Sequence, residues 1–358
     1  MNLQIVALLG QDGATNGAIY ALLALALVMV FAVTRILFIP QGEFVAFGAL
    51  TMGAIQSGKP LTVVWLLAGL CLASAAQDVG GMLLRRRAAG PRGPHGASAA
   101  PGRALAWPLL KLGYAGTMVW LAFTLPSAGW PMAAQALLTM ALLVPLGPLL
   151  YRLVFQPVAS ASPLVLLIVS IALHVVLVGV GLLVFGPEGA HTRPFSDDAI
   201  DVGTLRLNSQ ALWVIGIALA LIAALYLLFE RTLYGKALRA AAMNRMGARL
   251  MGISPAFAGQ AMFFMAALIG VLSGVLIAPV TTIYYDSGFL ISLKGFVGAI
   301  IGGLVSYPLA AAGALLVGLI EAFSAFVAST YKEVIVFMLI IPVLMWRSLN
   351  TRHVEEDE

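Results

Sequence analysis

The sequence predicts an all-α fold, a polytopic transmembrane helical bundle of about 10–11 membrane segments, and three observations carry that prediction. Hydrophobic residues make up 61% of the 358 positions and charged residues 10%, whereas soluble domains carry roughly 25% charge to cover their cores. The apolar residues fall in charge-free runs rather than in a periodic stripe, and a mean hydropathy of +1.00 agrees. The basic residues, in contrast, gather between those runs.

A bilayer crossing needs about 20 mostly apolar residues. Residues 13–34 provide the first run, 41–57 the second with a single charge at Glu43, and 60–77 the third. Further runs lie at 107–125, 131–151, from Pro163 to Pro187, 207–229, 257–283, 290–306, 308–329 and 334–346. Barrel strands would alternate over about ten residues, and these runs do not, so helices are the spanning form. Pro60, Pro108, Pro131 and Pro163 stand at segment ends, where a missing N–H is harmless.

Charge sets the expected orientation. Arg85, Arg86, Arg87, Arg92 and Arg103 place the linker 85–106 in the cytoplasm, as Arg231, Lys236, Arg239, Arg245 and Arg249 do for 230–250. The loop 187–206, with Glu188, Asp197, Asp198 and Asp201, belongs outside. Counting from each anchor puts the N-terminus outside and the C-terminus in the cytoplasm. The expected organisation is membrane segments over 1–84, a disordered linker over 85–106, and the remaining bundle over 107–350 with a cytoplasmic loop at 231–254. An acidic cytoplasmic tail follows at 351–358.

Several function classes drop out. Cys71 is the single cysteine, inside an apolar run, which excludes disulfides and thiolate metal sites. His95, His174, His191 and His353 show no ligand spacing, so no metal or cofactor is expected. No G-x-x-x-x-G-K-[ST] loop occurs, so ATP is not bound by that device. The net charge of +5 follows the membrane topology and does not indicate nucleic acid. Met1–Leu9 lacks the basic start of a signal peptide.

The loop 231–254 combines helix formers with five basic residues and Gly235, Gly247 and Gly252. Its plain reading is a solvated basic loop. The sharper one is a stiff helix along the cytoplasmic face, with Ala237, Ala240, Ala241 and Ala242 allowing a partner to approach and Arg239, Arg245 and Arg249 supplying charged contacts. On that reading a charged side chain at Ala241 blocks docking and leaves the chain folded. Glu43, Lys294 and Glu321 are the ionisable groups within apolar runs, where charges face a bundle interior or wet cavity and pair. Lys294 with Glu321 is the expected pair, and Glu43 has no evident partner. The segments 40–42 and 295–303 are candidates for broken helix near a transport path.

The run from Gly235 to Ile253 (GKALRAAAMNRMGARLMGI) resembles the cytoplasmic coupling loop of the branched-chain amino acid ABC permease family. The resemblance extends to Leu293–Gly303 (LKGFVGAIIGG), Gly313–Glu321 (GALLVGLIE), Asn16–Leu22 (NGAIYAL) and Tyr151–Pro163 (YRLVFQPVASASP). Two features depart from it. The family's N-F-A-H-G-E turn is Phe38-Ile39-Pro40-Gln41-Gly42-Glu43 here, keeping only Gly-Glu, and 78–130 reads as an insertion.

The resemblance implies a pore-forming, non-catalytic permease in a bacterial inner membrane. Its partners would be two ABC ATPase subunits, a second permease forming a heterodimer, and a periplasmic substrate-binding protein. Gly235, Lys236, Ala237, Arg239, Ala240, Ala241, Asn244 and Gly252 are then the ATPase-coupling residues. Asn16, Tyr20, Gln41, Gly42, Glu43, Lys294, Gly298 and Glu321 are the translocation-path candidates. A permease for urea or short amides shares this architecture, and an ion-coupled secondary transporter is the remaining alternative. The absence of a dense Asp/Glu/His relay weighs against the latter.

Overall fold

A computed structural model describes residues 3–88, 101–196, 199–202, 205–304 and 306–350. Long α-helices dominate, because within lipid each backbone polar group must be satisfied inside its own segment. In order they are α1 (Leu3–Thr34), α2 (Gln41–Gln56), α3 (Val63–Ala88), α4 (Pro101–Thr124), α5 (Met132–Leu143) and α6 (Leu146–Leu150). A π-helical turn, Tyr151–Phe155, extends α6 before α7 (Pro163–Phe185). The strands β1 (Ala199–Val202) and β2 (Leu205–Asn208) pair antiparallel, Ala199 with Asn208, as a small exception to the all-α expectation. Then follow α8 (Ser209–Arg231), α9 (Leu233–Met243), α10 (Arg245–Leu250), α11 (Pro255–Ile277), α12 (Ser287–Ile301), α13 (Tyr307–Val327), α14 (Lys332–Met338) and α15 (Ile340–Asn350).

Seven helical segments among the described residues are long and apolar enough to cross a membrane: Gln4–Thr34, Val63–Leu84, Met132–Val158, Pro163–Phe185, Ser209–Arg231, Pro255–Ile277 and Tyr307–Val327. α12 is apolar but shorter, and α2 has 16 residues. The last apolar run is divided into α14 and α15. The expected linker loses its ends to helix, since α3 runs on to Ala88 and α4 begins at Pro101. Residues 89–100 and the acidic tail 351–358 lie outside the described residues. Pro108 sits within α4 rather than at its start, because Pro101 already takes the first helical position.

The core is built around α1, whose apolar stretch is 89% buried, while α7 and α8 are 28% and 22% buried and form the periphery. Lipid tails are as apolar as leucine, so close contact rather than water exclusion holds such helices together. Small residues make that contact possible. A Cβ added at Gly17 would stand 2.9 Å from the Leu315 Cα, and one at Gly13 would stand 2.8 Å from the Leu319 Cα. The α1–α13 seam therefore tolerates no larger residue at either position. α2 lies against α11 in the same manner, with Val271 O 2.6 Å from a Cβ at Gly48.

The α3–α4 pair is tied to the bundle by charge. The Lys111 ammonium donates to Asp78 Oδ2 at 2.8 Å and to Ser74 Oγ at 2.7 Å, and Arg152 of the π turn pairs with Asp78 Oδ1. Beyond this clamp, Trp107 and Trp120 of α4 are exposed, as apolar surface facing lipid would be. Cys71 of α3 is buried and serves as a small apolar core residue.

Two connections turn back into the bundle. α1 stops at Arg35, whose φ of 60° is left-handed, and residues 36–40 lead to α2. Gln41 Nε2 donates to Ala266 O at 2.9 Å, so α2 begins level with the middle of α11. Likewise α11 ends at Ile277 and residues 278–286 lead inward to α12. The first turns of α2 and α12 then touch, with the Gly42 and Gly288 backbones in contact and Ser292 Cβ 2.7 Å from a Cβ built at Gly42. The expectation of broken helix at 295–303 is corrected for most of its length. α12 is continuous from Ser287 to Ile301, and the chain breaks before it and again only at 302–304, where Gly303 and Leu304 are left-handed. Gly295 and Gly298 serve packing, pressed against Leu23 of α1 and Ala314 of α13.

Candidate functional site

Between α8 and α11 stand two short helices where the sequence suggested one. Thr232 caps α9, its Oγ1 accepting from the Gly235 N–H at 3.0 Å. The turn ends at Asn244, whose extended backbone closes α9 and whose Oδ1 accepts the Gly247 N–H at 2.9 Å to start α10. Asparagine offers the backbone this alternative to helix, which is why a continuous helix over 235–250 is not formed. α10 ends in a Schellman turn: Ile253 N–H to Ala248 O and Gly252 N–H to Arg249 O, with Gly252 at φ +82°.

This pair lies with one face on the bundle. Gly235, Leu238 and Ala241 are buried, and a Cβ at Gly235 would stand 2.6 Å from the Phe229 Cα. Ala241, 1% exposed, belongs to the chain's own core. The expectation that Ala241 meets a partner is therefore corrected: a charged side chain there disturbs this chain first. Arg239 is half-buried and pairs with Glu230 at 2.5 Å. Lys236, Ala240, Asn244, Arg249 and Gly252 are exposed, and Ala237 is half-exposed.

The sequence reading missed what surrounds them. Leu233, Tyr234, Met243, Met246, Leu250 and Met251 are all exposed, apolar side chains beside basic ones on a face left uncovered among the described residues. The signal was present as Met243, Met246 and Leu250 at helical spacing, among the more conspicuous alanines and basic residues of the loop. A gap of about 760 Å³ runs behind the pair, between Thr34, Tyr151, Ala241 and Ala258.

The path candidates divide into two clusters. Lys294 of α12 donates to Glu321 Oε1 of α13 at 2.5 Å, and the Tyr20 hydroxyl of α1 donates to Glu321 Oε2 at 2.6 Å. All three are buried, and Lys294 Nζ also lies 5.9 Å from the centre of the Tyr20 ring. The carboxylate is thus satisfied on both oxygens, and the arrangement locks three helices. Asn16, half-buried on α1, lies one turn before Tyr20.

Glu43 forms the second cluster, in the first turn of α2. Its Oε1 lies 2.6 Å from His174 Nδ1 of α7, and the His174 ring packs on Phe289 of α12 at 4.8 Å between centroids. Glu43 thus has the partner that sequence did not name. Its Oε2, like Gln41 Oε1, is buried with no hydrogen-bond partner among the described residues.

Comparison with known proteins agrees with this architecture. The family described as branched-chain amino acid transport system / permease component matches residues 95–344. The high-affinity branched-chain amino acid transport system permease protein LivH of Escherichia coli K12 is 27% identical over 203 residues, 54% of this chain. LivH of Salmonella typhimurium LT2 gives the same identity and coverage. Both matches span 65% of the relative's own length. The corresponding protein BraD of Pseudomonas aeruginosa PAO1 is 36% identical over 125 residues, 34% of this chain and 41% of its own. No solved structure matches.

Proposed function

Because this chain belongs to the branched-chain amino acid transport permease family, as a multi-pass membrane protein of a bacterial ABC permease family, we propose that it is the pore-forming subunit of an ATP-driven importer for branched-chain or related amino acids. It works with two ABC ATPase subunits, which hydrolyse ATP, a second permease subunit and a periplasmic substrate-binding protein. About eleven segments enter the membrane, the N-terminus lies outside, and the α9–α10 pair and the C-terminus face the cytoplasm. The charge distribution in loops supports that orientation.

One observation carries this reading. The α9–α10 pair is seated rigidly through Gly235 and Ala241, yet presents Tyr234, Met243, Met246 and Lys236 outward. Such an element transmits force, because its inner face moves with α8 and α11 while its outer face is free for an ATPase subunit. The seated helix would take up ATPase closure, and α8 and α11 would carry it to the bundle.

The test uses exposed positions, since Ala241 is buried. Ala240→Glu, with Met246→Glu beside it, is placed in the reconstituted importer. Substrate uptake and transport-stimulated ATP hydrolysis both fall while permease abundance stays constant. Uptake at the wild-type rate in both variants would return the loop to a plain solvated segment.

A further inference from the structure

We propose that the crossing of α2 and α12 is a binding site for an aliphatic α-amino acid, with its ammonium on Glu43 and its side chain in the cavity beside Phe289. The inference rests on the amino-acid transport reading above and adds where within this chain the substrate is held.

Three observations converge on that point. Two short helices begin inside the bundle, each after a segment that turns inward, and their first turns meet at Gly42 and Gly288. Interrupted helices whose ends meet near the bilayer midplane are how membrane transporters expose backbone and side-chain groups to a solute. Helix starts alone would not suffice. At this junction, however, Glu43 is 0% exposed, and its Oε2 lacks a hydrogen-bond partner among the described residues. That oxygen lies beside the start of α12, 3.0 Å from a Cβ built at Gly288. A buried carboxylate oxygen left unpaired is costly, and a ligand ammonium would relieve that cost.

The third observation is apolar. A cavity of about 310 Å³ lies next to the junction, lined by Leu37, Phe38 and Ile39 of the inward segment and by Phe289, Ser292 and Phe296 of α12. Ser292 is the sole polar residue lining it. This size and lining suit a small aliphatic group, for which a concave apolar pocket with a few convergent polar groups is the usual form. Phe289 is the partition between the two parts, lining the cavity while packing on the His174 ring that holds Glu43. Glu43 itself does not line this cavity, so the proposed site requires the partly exposed Phe289 ring to swing aside and join the cavity to the carboxylate. An aliphatic amino acid carries both groups that such a joined site would match, whereas urea carries neither an ammonium nor an aliphatic chain.

The experiment uses the assembled importer with its ATPase partners in liposomes. Uptake of radiolabelled leucine by the wild type is measured first. The same complex is then photolysed with a diazirine analogue of leucine, and adducts are mapped by mass spectrometry. Adducts are expected on residues 37–43 or 289–296, competed by excess leucine, and reduced about tenfold by Glu43→Gln through loss of the charged contact. Leu293→Trp, which narrows the cavity, should lower leucine uptake about tenfold while alanine uptake falls much less. If the wild type takes up no leucine, the transport reading fails and the site with it. Leucine uptake with competed adducts only outside those two segments overturns the site alone. The wild-type adduct map decides the matter even if Glu43→Gln fails to fold.

Discussion

Two lysine–glutamate pairs in this chain share a chemistry and differ in nearly everything that follows from it. Lys59 and Glu188 meet at 2.9 Å with side chains 61% and 75% exposed. Lys294 and Glu321 meet at 2.5 Å with side chains 8% and 9% exposed. Water and salt screen the first, which joins the end of α2 to the loop after α7. The second has no water to fall back on, so Tyr20 supplies the other carboxylate oxygen with its hydrogen bond. What distinguishes a structural ion pair is thus what would remain after one partner left. At the surface that is a hydrated ion, and in the bundle it is a stranded charge.

The comparison is tested hardest by removing one buried partner. Lys294→Ala should destabilise the chain by about 3–5 kcal/mol, since it leaves Glu321 buried and uncompensated. Unfolding in mixed detergent micelles measures this, and a loss below about 1 kcal/mol would place the pair in the surface class. Tyr20→Phe keeps the ion pair and deletes one hydrogen bond to a charged group, with an expected cost of about 1.5–3 kcal/mol in the same assay.

Replacing both partners, Lys294→Met with Glu321→Leu, should cost less than Lys294→Ala alone. No charge is then left behind, and similar exchanges of buried pairs are often close to neutral. Strict additivity of the single Met and Leu variants in a double-mutant cycle would show that the two groups do not interact. The smallest effect belongs to Lys59→Ala, which should leave the unfolding midpoint unchanged at neutral pH. The Lys59 ammonium, through its hydrogen bond and charge, holds the Glu188 carboxyl below its usual range. Whatever the pair contributes is present above the unfolded-state value and is lost as pH falls through the lower folded one. Carboxylate infrared bands should show Glu188 titrating higher in the variant.

The Lys294–Glu321 pair was readable in the sequence because two opposite charges stood alone in apolar spans, where each needs the other. The helices were readable for a similar reason, and every apolar run holds helix among the described residues, although 278–283 and 302–304 at the ends of two runs are turn or loop. His174 was not, since a partner 131 positions from Glu43 leaves no local trace, and a lone histidine in an apolar run resembles any other. Ala241 was misread for a different reason. Alanine suits both a docking face and a core face, and only the spacing of Gly235, Leu238 and Ala241 marks which side turns inward. The inward turns before α2 and α12 were half legible: Pro40-Gln41-Gly42 flagged the first. The glycines at 295–303 drew attention past the second, because helix packing and helix breaking use the same residue.

The glycine seam between α1 and α13 also sets a timetable for synthesis. The Tyr20 hydroxyl and its acceptor on Glu321 are 301 positions apart, and chains are made at about 5–20 residues per second. The first helix therefore sits in the bilayer for roughly 15–60 s before the helix it is shaped to receive has been made. During that interval the faces carrying Gly13 and Gly17 are open to lipid or to passing helices. The α1–α13 seam can close only once α13 has been made. A chain halted before α13 would thus keep the face carrying Gly13 and Gly17 without the partner it is shaped for.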